Sequence, residues 1–293
     1  KKVNMQLIPI EVPENYEIIL WGDNQEGNIA QSRDGVKACI DYIMAAPNRY
    51  CVHMGDALEA FWIEDKRYQQ ETCLEPPLEQ MKMFKKTIEP LVKEGRMLTL
   101  LLGNHELRFI NRAGNITKFM CEEIQKETAR KFPLYGTYSS KLEFNDPKGL
   151  QWKLYVTHGR KSINSVSPDP GRRRAYQEFI LQRHLESIFG DCLVMAKGHA
   201  HKLLVKRPMP ALYLTSNKGK ILQNYTKAGS GTTKDFYIPP ENRWYACTAS
   251  FLKSFELGVS TYSEMAEYAP TELGYIKIVV GDRDVQDVIE VKV

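Results

Sequence analysis

No stretch of the 293 residues approaches the roughly 18 uninterrupted apolar positions that a bilayer-spanning helix requires. Lys1 and Lys2 lead into no apolar segment of the kind that directs secretion. The six cysteines (Cys39, Cys51, Cys73, Cys121, Cys192 and Cys247) contain no C-x-x-C pair, which argues against a thiolate metal cluster or a redox dithiol. Cys39, Cys51 and Cys192 have apolar neighbours, so buried free thiols in a reducing compartment are expected. Internal repeats, low-complexity tracts and interdomain linkers are also missing. These absences leave a cytoplasmic, globular chain folding as one domain over residues 1–293, with no membrane association. N-I-T at Asn115 and N-Y-T at Asn224 are then chance matches to a glycosylation signal.

What is present is ordinary in bulk. Apolar residues make up 43% and charged residues 26%, enough for a sizeable core and unlike a disordered or collagenous chain. The net charge of +4 favours an anionic partner but falls short of a dedicated nucleic-acid arm.

Apolar, β-branched runs ending in polar clusters predict strands at Tyr16–Trp21, Tyr50–His53, Met97–Leu102, Leu154–Thr157 and Cys192–Ala196. Helical periodicity predicts helices over Asn28–Ala46, Leu78–Lys93, Asn115–Lys131 and Arg172–Phe189. Ala211–Leu222, Trp244–Phe251 and Tyr275–Val293 read as strands of a second, largely antiparallel sheet, and Lys218–Asn242 reads as a long loop.

In α/β sheets ligands gather beyond the carboxyl ends of strands. Here each predicted strand delivers a glycine and a metal-ligating side chain at that place: Gly22-Asp23-Asn24-Gln25, Gly55-Asp56-Ala57-Leu58-Glu59, Gly103-Asn104-His105-Glu106, Thr157-His158-Gly159 and Gly198-His199-Ala200-His201. Each fragment alone is weak, since G-D after a strand is usually a turn. Five in succession, holding four of the six histidines, are not. Oxygen and imidazole donors suit Mn, Fe, Zn or Mg. A strand-end aspartate flanked by glycine, Asp56, is the natural bridge between two cations.

This ordered set resembles the calcineurin-like metallophosphoesterases, whose pattern is D-x-H, G-D-x-x-D/E, G-N-H-D/E, an isolated histidine and G-H-x-H. The match runs from Asp23 to His201. The resemblance implies an α/β fold of two packed mixed β-sheets flanked by helices, a four-layer α/β/β/α sandwich. It further implies one divalent metal on Asp23, Asp56 and His201, and another on Asp56, Asn104, His158 and His199. With Mn as the expected ion, a hydroxide bridging the two metals would attack phosphorus, and His105 would protonate the leaving group. Glu59 or Glu106 would orient the His105 ring by accepting from its other nitrogen, or else cap the following helix.

The chain departs from the pattern at Gln25, where the family has histidine. A glutamine oxygen binds transition metals more weakly than imidazole, so that position implies a labile site, a harder ion such as Mn or Mg, a merely water-orienting role, or a decayed centre.

For the substrate, Arg108, Arg112 and Arg160 stand close in sequence to the motifs and are candidates to clamp phosphate. Arg172-Arg173-Arg174, Arg183 and His184 line a further groove or form a solvated helix face. The late segment Ala249-Ser250-Phe251, with Tyr262, Tyr268, Pro270 and Gly274-Tyr275, resembles the closing strands of SbcD-like and phage-borne nuclease members. It implies a phosphodiesterase acting on DNA, its tyrosines either stacking on unpaired bases or packing in the core. The alternatives are a phosphomonoesterase acting on phosphoprotein or nucleotide, which lacks support from Ala60-Phe61 after Glu59, and a nucleic-acid-binding scaffold with a decayed metal site. A homo-oligomer is compatible with the sequence, and nothing in it points to an ATPase partner.

Overall fold

The computed structural model describes residues 5–65, 68, 70–73, 75–128, 130, 132–226 and 237–293. Two large mixed sheets pack face to face. One has five strands in the order β13 (Asp284–Lys292), β12 (Gly274–Gly281), β2 (Tyr16–Trp21), β3 (Arg49–His53) and β4 (Met97–Leu100). The other has six, in the order β1 (Gln6–Glu11), β5 (Ser139–Asp146), β6 (Gly149–Thr157), β7 (Val194–Lys197), β11 (Trp244–Cys247) and β8 (Leu204–Lys206).

The continuous apolar runs follow from this layering, because central strands are covered on both faces. In β2, Ile18 and Leu20 point between the sheets, where they meet Leu142, Leu154, Val194 and Ile276. Their neighbours Ile19 and Trp21 point outward, against α1 (Arg33–Met44), α2 (Pro77–Lys93) and α5 (Ile116–Gln125) through Cys39, Phe84, Ile88 and Met120. On the far side α6 (Pro170–Leu185) covers Tyr155, Met195 and Tyr245 with Leu181 and Leu185. Burying each such side chain contributes about 1.5–3 kcal/mol. The four-layer α/β/β/α arrangement expected from the sequence is therefore present. Three short helices, α3 (Asn104–Leu107), α4 (Ile110–Ala113) and α7 (Tyr262–Met265), and one 3-10 turn at Pro240–Asn242 complete the helical set of the described residues.

Several sequence expectations need correction. Most strands of the last third join the two large sheets instead of a separate one: β8 and β11 extend the second sheet, and β12 and β13 extend the first. Tyr275–Val293 is a hairpin turning at Asp282 and Arg283, both at positive φ without a glycine between them. The Lys218–Asn242 loop is a strand at its start, because β9 (Leu212–Asn217) and β10 (Lys220–Tyr225) form a separate two-stranded ribbon closed by Lys218-Gly219, again both at positive φ. Residues 227–236 of that predicted loop lie outside the described residues. The first helix starts at Arg33 rather than Asn28, whose side-chain oxygen accepts from the Ala30 N–H and holds a turn there. The third ends at Gln125, where the Gln125 side chain accepts from the Leu134 N–H and donates to the Phe132 carbonyl; its predicted end at Lys131 lies outside the described residues. All six cysteines are buried and unpaired. Among the described residues no helix is long and apolar enough to cross a membrane.

Candidate metal centre

The parallel strands β2, β3 and β4 of one sheet and β6 and β7 of the other end at one place. The loops after β2 and β3 are tied together beyond the strands: Asp23 donates its N–H to the Gly55 carbonyl (2.9 Å) and Gln25 to the Asp56 carbonyl (3.1 Å). The loop after β4 comes in so close that a Cβ on Gly103 would sit 2.0 Å from the Asp56 backbone nitrogen and carboxylate. Only glycine permits that approach. Asp23, Gln25, Asp56, His199 and His201 all adopt positive φ, a conformation costing of order 1 kcal/mol or more for a residue with a Cβ. Such outliers clustered at strand ends mark a site whose geometry is imposed by the surroundings.

Asp56 is the hub. Its Oδ1 accepts the His105 backbone N–H (2.9 Å), and its Oδ2 lies 3.3 Å from His158 Nε2 and 3.8 Å from His105 Nε2. Burial opposes its charge, but His158 and His105 outweigh burial and hold its pKa low. Ligand atoms of Asp56, His158 and His199 all fall within 4.8 Å of one another. His158 Nδ1–H donates to the Met54 carbonyl (2.9 Å), which leaves Nε2 facing inward, 2.9 Å from Asn104 Oδ1. Burial disfavours the charged His158 ring, yet Asp56 raises its pKa to about 9; His199, disfavoured by burial and by His158, is lowered to about 4.

The second half gathers around Asp23. Its Oδ2 accepts the His199 backbone N–H (3.1 Å) and its Oδ1 lies 3.2 Å from His201 Nε2. The Ser250 hydroxyl (2.7 Å) and the Phe251 N–H (3.1 Å) both bind the Asp23 carbonyl. Gln25 is buried here and lines the same cavity as His201 and His105.

His105 is held by the loop that follows β3. Its Nδ1 lies 2.8 Å from the Glu59 backbone carbonyl, so Nδ1 carries the proton and Nε2 turns to the centre. That corrects the expectation that a glutamate side chain orients the ring. Glu106 accepts instead from the N–H groups of Leu58 (2.9 Å) and Gly103 (3.1 Å), stitching the second and third loops together. Buried beside the Asp56 charge, its carboxyl is raised to about 7. Glu59 carries a buried carboxyl, raised in pKa by desolvation, that is bonded to Asn28 and faces a cavity of about 210 Å³.

Of the arginines, Arg108 and Arg160 line an open cleft with Asn104 and His199, Arg108 also pairing with Asp65 (3.4 Å), and Arg112 pairs with Glu64 (3.4 Å) over the Trp62 ring. The arginine run of α6 serves the fold. Asp169 caps the helix by accepting from Arg172 N–H (2.7 Å), Arg173 donates to the Ser167 and Pro168 carbonyls, Arg174 pairs with Glu290, and Arg183 with Glu186. Those charges do not join the cleft of Arg108 and Arg160.

Sequence reasoning overlooked His53. It is buried under the centre, its Nε2 2.7 Å from Asn24 Oδ1, its Nδ1 accepting the Gly55 N–H (3.3 Å), and burial lowers its pKa to about 3. A neutral ring thus fixes Asn24 between Asp23 and Gln25. A histidine closing an apolar strand three residues before Asp56 was the available signal.

The donor set fits divalent cations. It consists of carboxylate, imidazole and amide oxygen with no thiolate, and His158 is braced from behind by a backbone carbonyl, as ligating histidines are.

No protein-family model matches the chain, and no curated protein matches it. Among solved structures it is similar to Yfce, a phosphoesterase from E. coli, at 11% identity over 94% of this chain and 100% of that one, with a TM-score of 0.41. That likeness is too distant to carry an argument about this chain's activity.

Proposed function

We propose that this protein is a metal-dependent phosphoester hydrolase, and within that class a phosphodiesterase acting on DNA. The observation that carries the first part is the convergence of Asp23, Asp56, Asn104, His158, His199 and His201 from five strand ends, with His105 Nε2 3.8 Å from the shared Asp56 carboxylate. Asp56, Asn104, His158 and His199 would hold one cation, and Asp23, Asp56, His201 and Gln25 the other. A pair of divalent ions there would supply an activated water at neutral pH and neutralise phosphoryl oxygens.

The chain's own groups provide the rest. The Glu59 carbonyl holds the Nδ1 proton of His105, so the second proton of the protonated ring would sit on Nε2, facing the centre, from where it can pass to a departing alkoxide. Arg108 and Arg160, beside Asn104 and His199, can engage non-bridging oxygens and a neighbouring phosphate. Two arginines lining a cleft beside Asn104 and His199 support a substrate continuing past one phosphate, hence a diester. The harder donor at Gln25 supports Mn.

The test is hydrolysis of bis(p-nitrophenyl) phosphate and p-nitrophenyl phosphate in parallel, with Mn restored after chelation and His105→Ala as control. Diester turnover that falls at least about a hundredfold in the variant supports the reading. Monoester preference would transfer it to a phosphatase. No turnover of either ester by folded, metal-loaded protein would overturn it in favour of a binding role.

A further inference from the structure

The cavity of about 210 Å³ beside Gln25, His105 and His201 shares no lining residue with the cationic cleft of Arg108 and Arg160. Two differently built spaces therefore reach the same centre. His105, the proton donor of the proposed reaction, opens onto the cavity rather than the cleft.

The cavity wall is fixed. Lys253 N–H donates to the Ala30 carbonyl (2.9 Å), the Ser254 and Thr271 hydroxyls meet at 3.0 Å, and the Thr261 hydroxyl donates to the Ser254 carbonyl (2.5 Å). Onto this frame the chain mounts Tyr262 and Tyr268, ring centroids 6.0 Å apart and nearly perpendicular, with Phe61 on the opposite loop. Both tyrosines are about half exposed (49% and 56%), so they are not core residues.

One polar atom in this setting has no partner. Glu59 is 4% exposed, Asn28 serves its carboxylate, and among the described residues its Oε2 accepts no hydrogen bond. A buried carboxylate oxygen left unsatisfied is costly, and a ligand N–H would relieve it. Phosphate and carboxylate groups would be repelled there, and an alkyl chain offers no donor. An aromatic heterocycle bearing an amino group answers both features, stacking on tyrosine while donating to Glu59.

We infer that this cavity is the leaving-group subsite and takes a nucleoside whose base carries an exocyclic amino group, with Glu59 Oε2 as acceptor and Tyr262 and Tyr268 as the stacking surface. Its role as a leaving-group site rests on the phosphoesterase reading above. The substrate is thereby oriented: the departing nucleoside lies in the cavity, beside His105, and the retained phosphate chain lies along Arg108 and Arg160.

Binding tests the inference independently of turnover. Wild type, Glu59→Gln and the double variant Tyr262→Ala/Tyr268→Ala, each confirmed folded by circular dichroism, are titrated calorimetrically with deoxyadenosine and with the purine deoxyribonucleoside lacking the amino group. Removing the amino group and replacing Glu59 should each weaken binding about tenfold or more, and together little further, because they delete one hydrogen bond. The tyrosine variant should weaken both ligands about tenfold. The inference is overturned if wild type binds neither nucleoside, or binds both alike with no dependence on Glu59. Hydrolysis of bis(p-nitrophenyl) phosphate by the same wild-type sample separates the two readings. Turnover without nucleoside binding removes only the subsite, and nucleoside binding without turnover removes the phosphoesterase, and with it the leaving-group role, while leaving the nucleoside site.

Discussion

The Asp56 half and the Asp23 half of the centre use similar donors in different settings. Around Asp56 the two central donors are buried, although Asn104 and His199 reach the cleft: His158 is fully enclosed, its back nitrogen anchored to Met54, its front nitrogen against Asp56 and Asn104. Around Asp23 the His201 side chain is 26% exposed, the neighbouring donor is the amide of Gln25, and both face the cavity. Burial and back-side bracing pre-organise a ligand, so the first half should hold its cation tightly and the second should exchange it.

The largest effect should come from breaking both halves at once. Asp56→Asn removes the shared carboxylate charge and is expected to lower diester turnover about a thousandfold, with loss of bound metal measured by elemental analysis. The next pair breaks them one at a time. His158→Ala should abolish activity that excess Mn cannot restore, while His201→Ala should cost about 10–100-fold in apparent Mn affinity and recover at high Mn, read from Mn-dependent rates. Equal behaviour of the two variants would erase the distinction. Gln25→His sharpens it from the other side: an imidazole should tighten the Asp23 half by about tenfold in a chelator competition, and an unchanged affinity would remove Gln25 from the ligand set.

The smallest effect lies outside the centre. Asp191 accepts from Lys141 and Lys153, each at 2.7 Å, on adjacent strands of the six-stranded sheet. Burial raises its pKa, the two lysines outweigh burial, and the net shift is downward. A depressed carboxylate stabilises the fold above its unfolded pKa, and that contribution disappears as pH falls through the folded value. Asp191→Asn should therefore cost about 1 kcal/mol near pH 7 by denaturant unfolding, a difference shrinking below about pH 4, with Mn affinity unchanged.

Much of this was legible in the sequence because layering leaves a strong trace. Strands covered on both faces read as unbroken apolar runs, and the strand-end glycines announce close approaches, as Gly103 against Asp56 illustrates. Strand pairing left no such trace, since the edge strand β1 alternates buried with exposed residues and β5 beside it buries the polar Ser140 and Lys141, so neither reads as an unbroken apolar run. The turn at Asp282-Arg283 was hidden because neither residue is the glycine that positive φ usually requires. The role of Glu59 split between its carbonyl and its carboxylate, a distinction no motif encodes. The arginines of α6 left two readings open because a charge run looks the same whether it meets phosphate or Glu290.

The positive φ angles at Asp23, Gln25, Asp56, His199 and His201 reverse the usual meaning of a tolerated substitution. At each of these positions glycine is the residue the backbone prefers, so a variant library sorted for protein abundance alone should enrich glycine there, while the same library sorted for catalysis should purge it. Left to selection for folding, the chain would drift toward losing its ligands one at a time and become more robust with each loss.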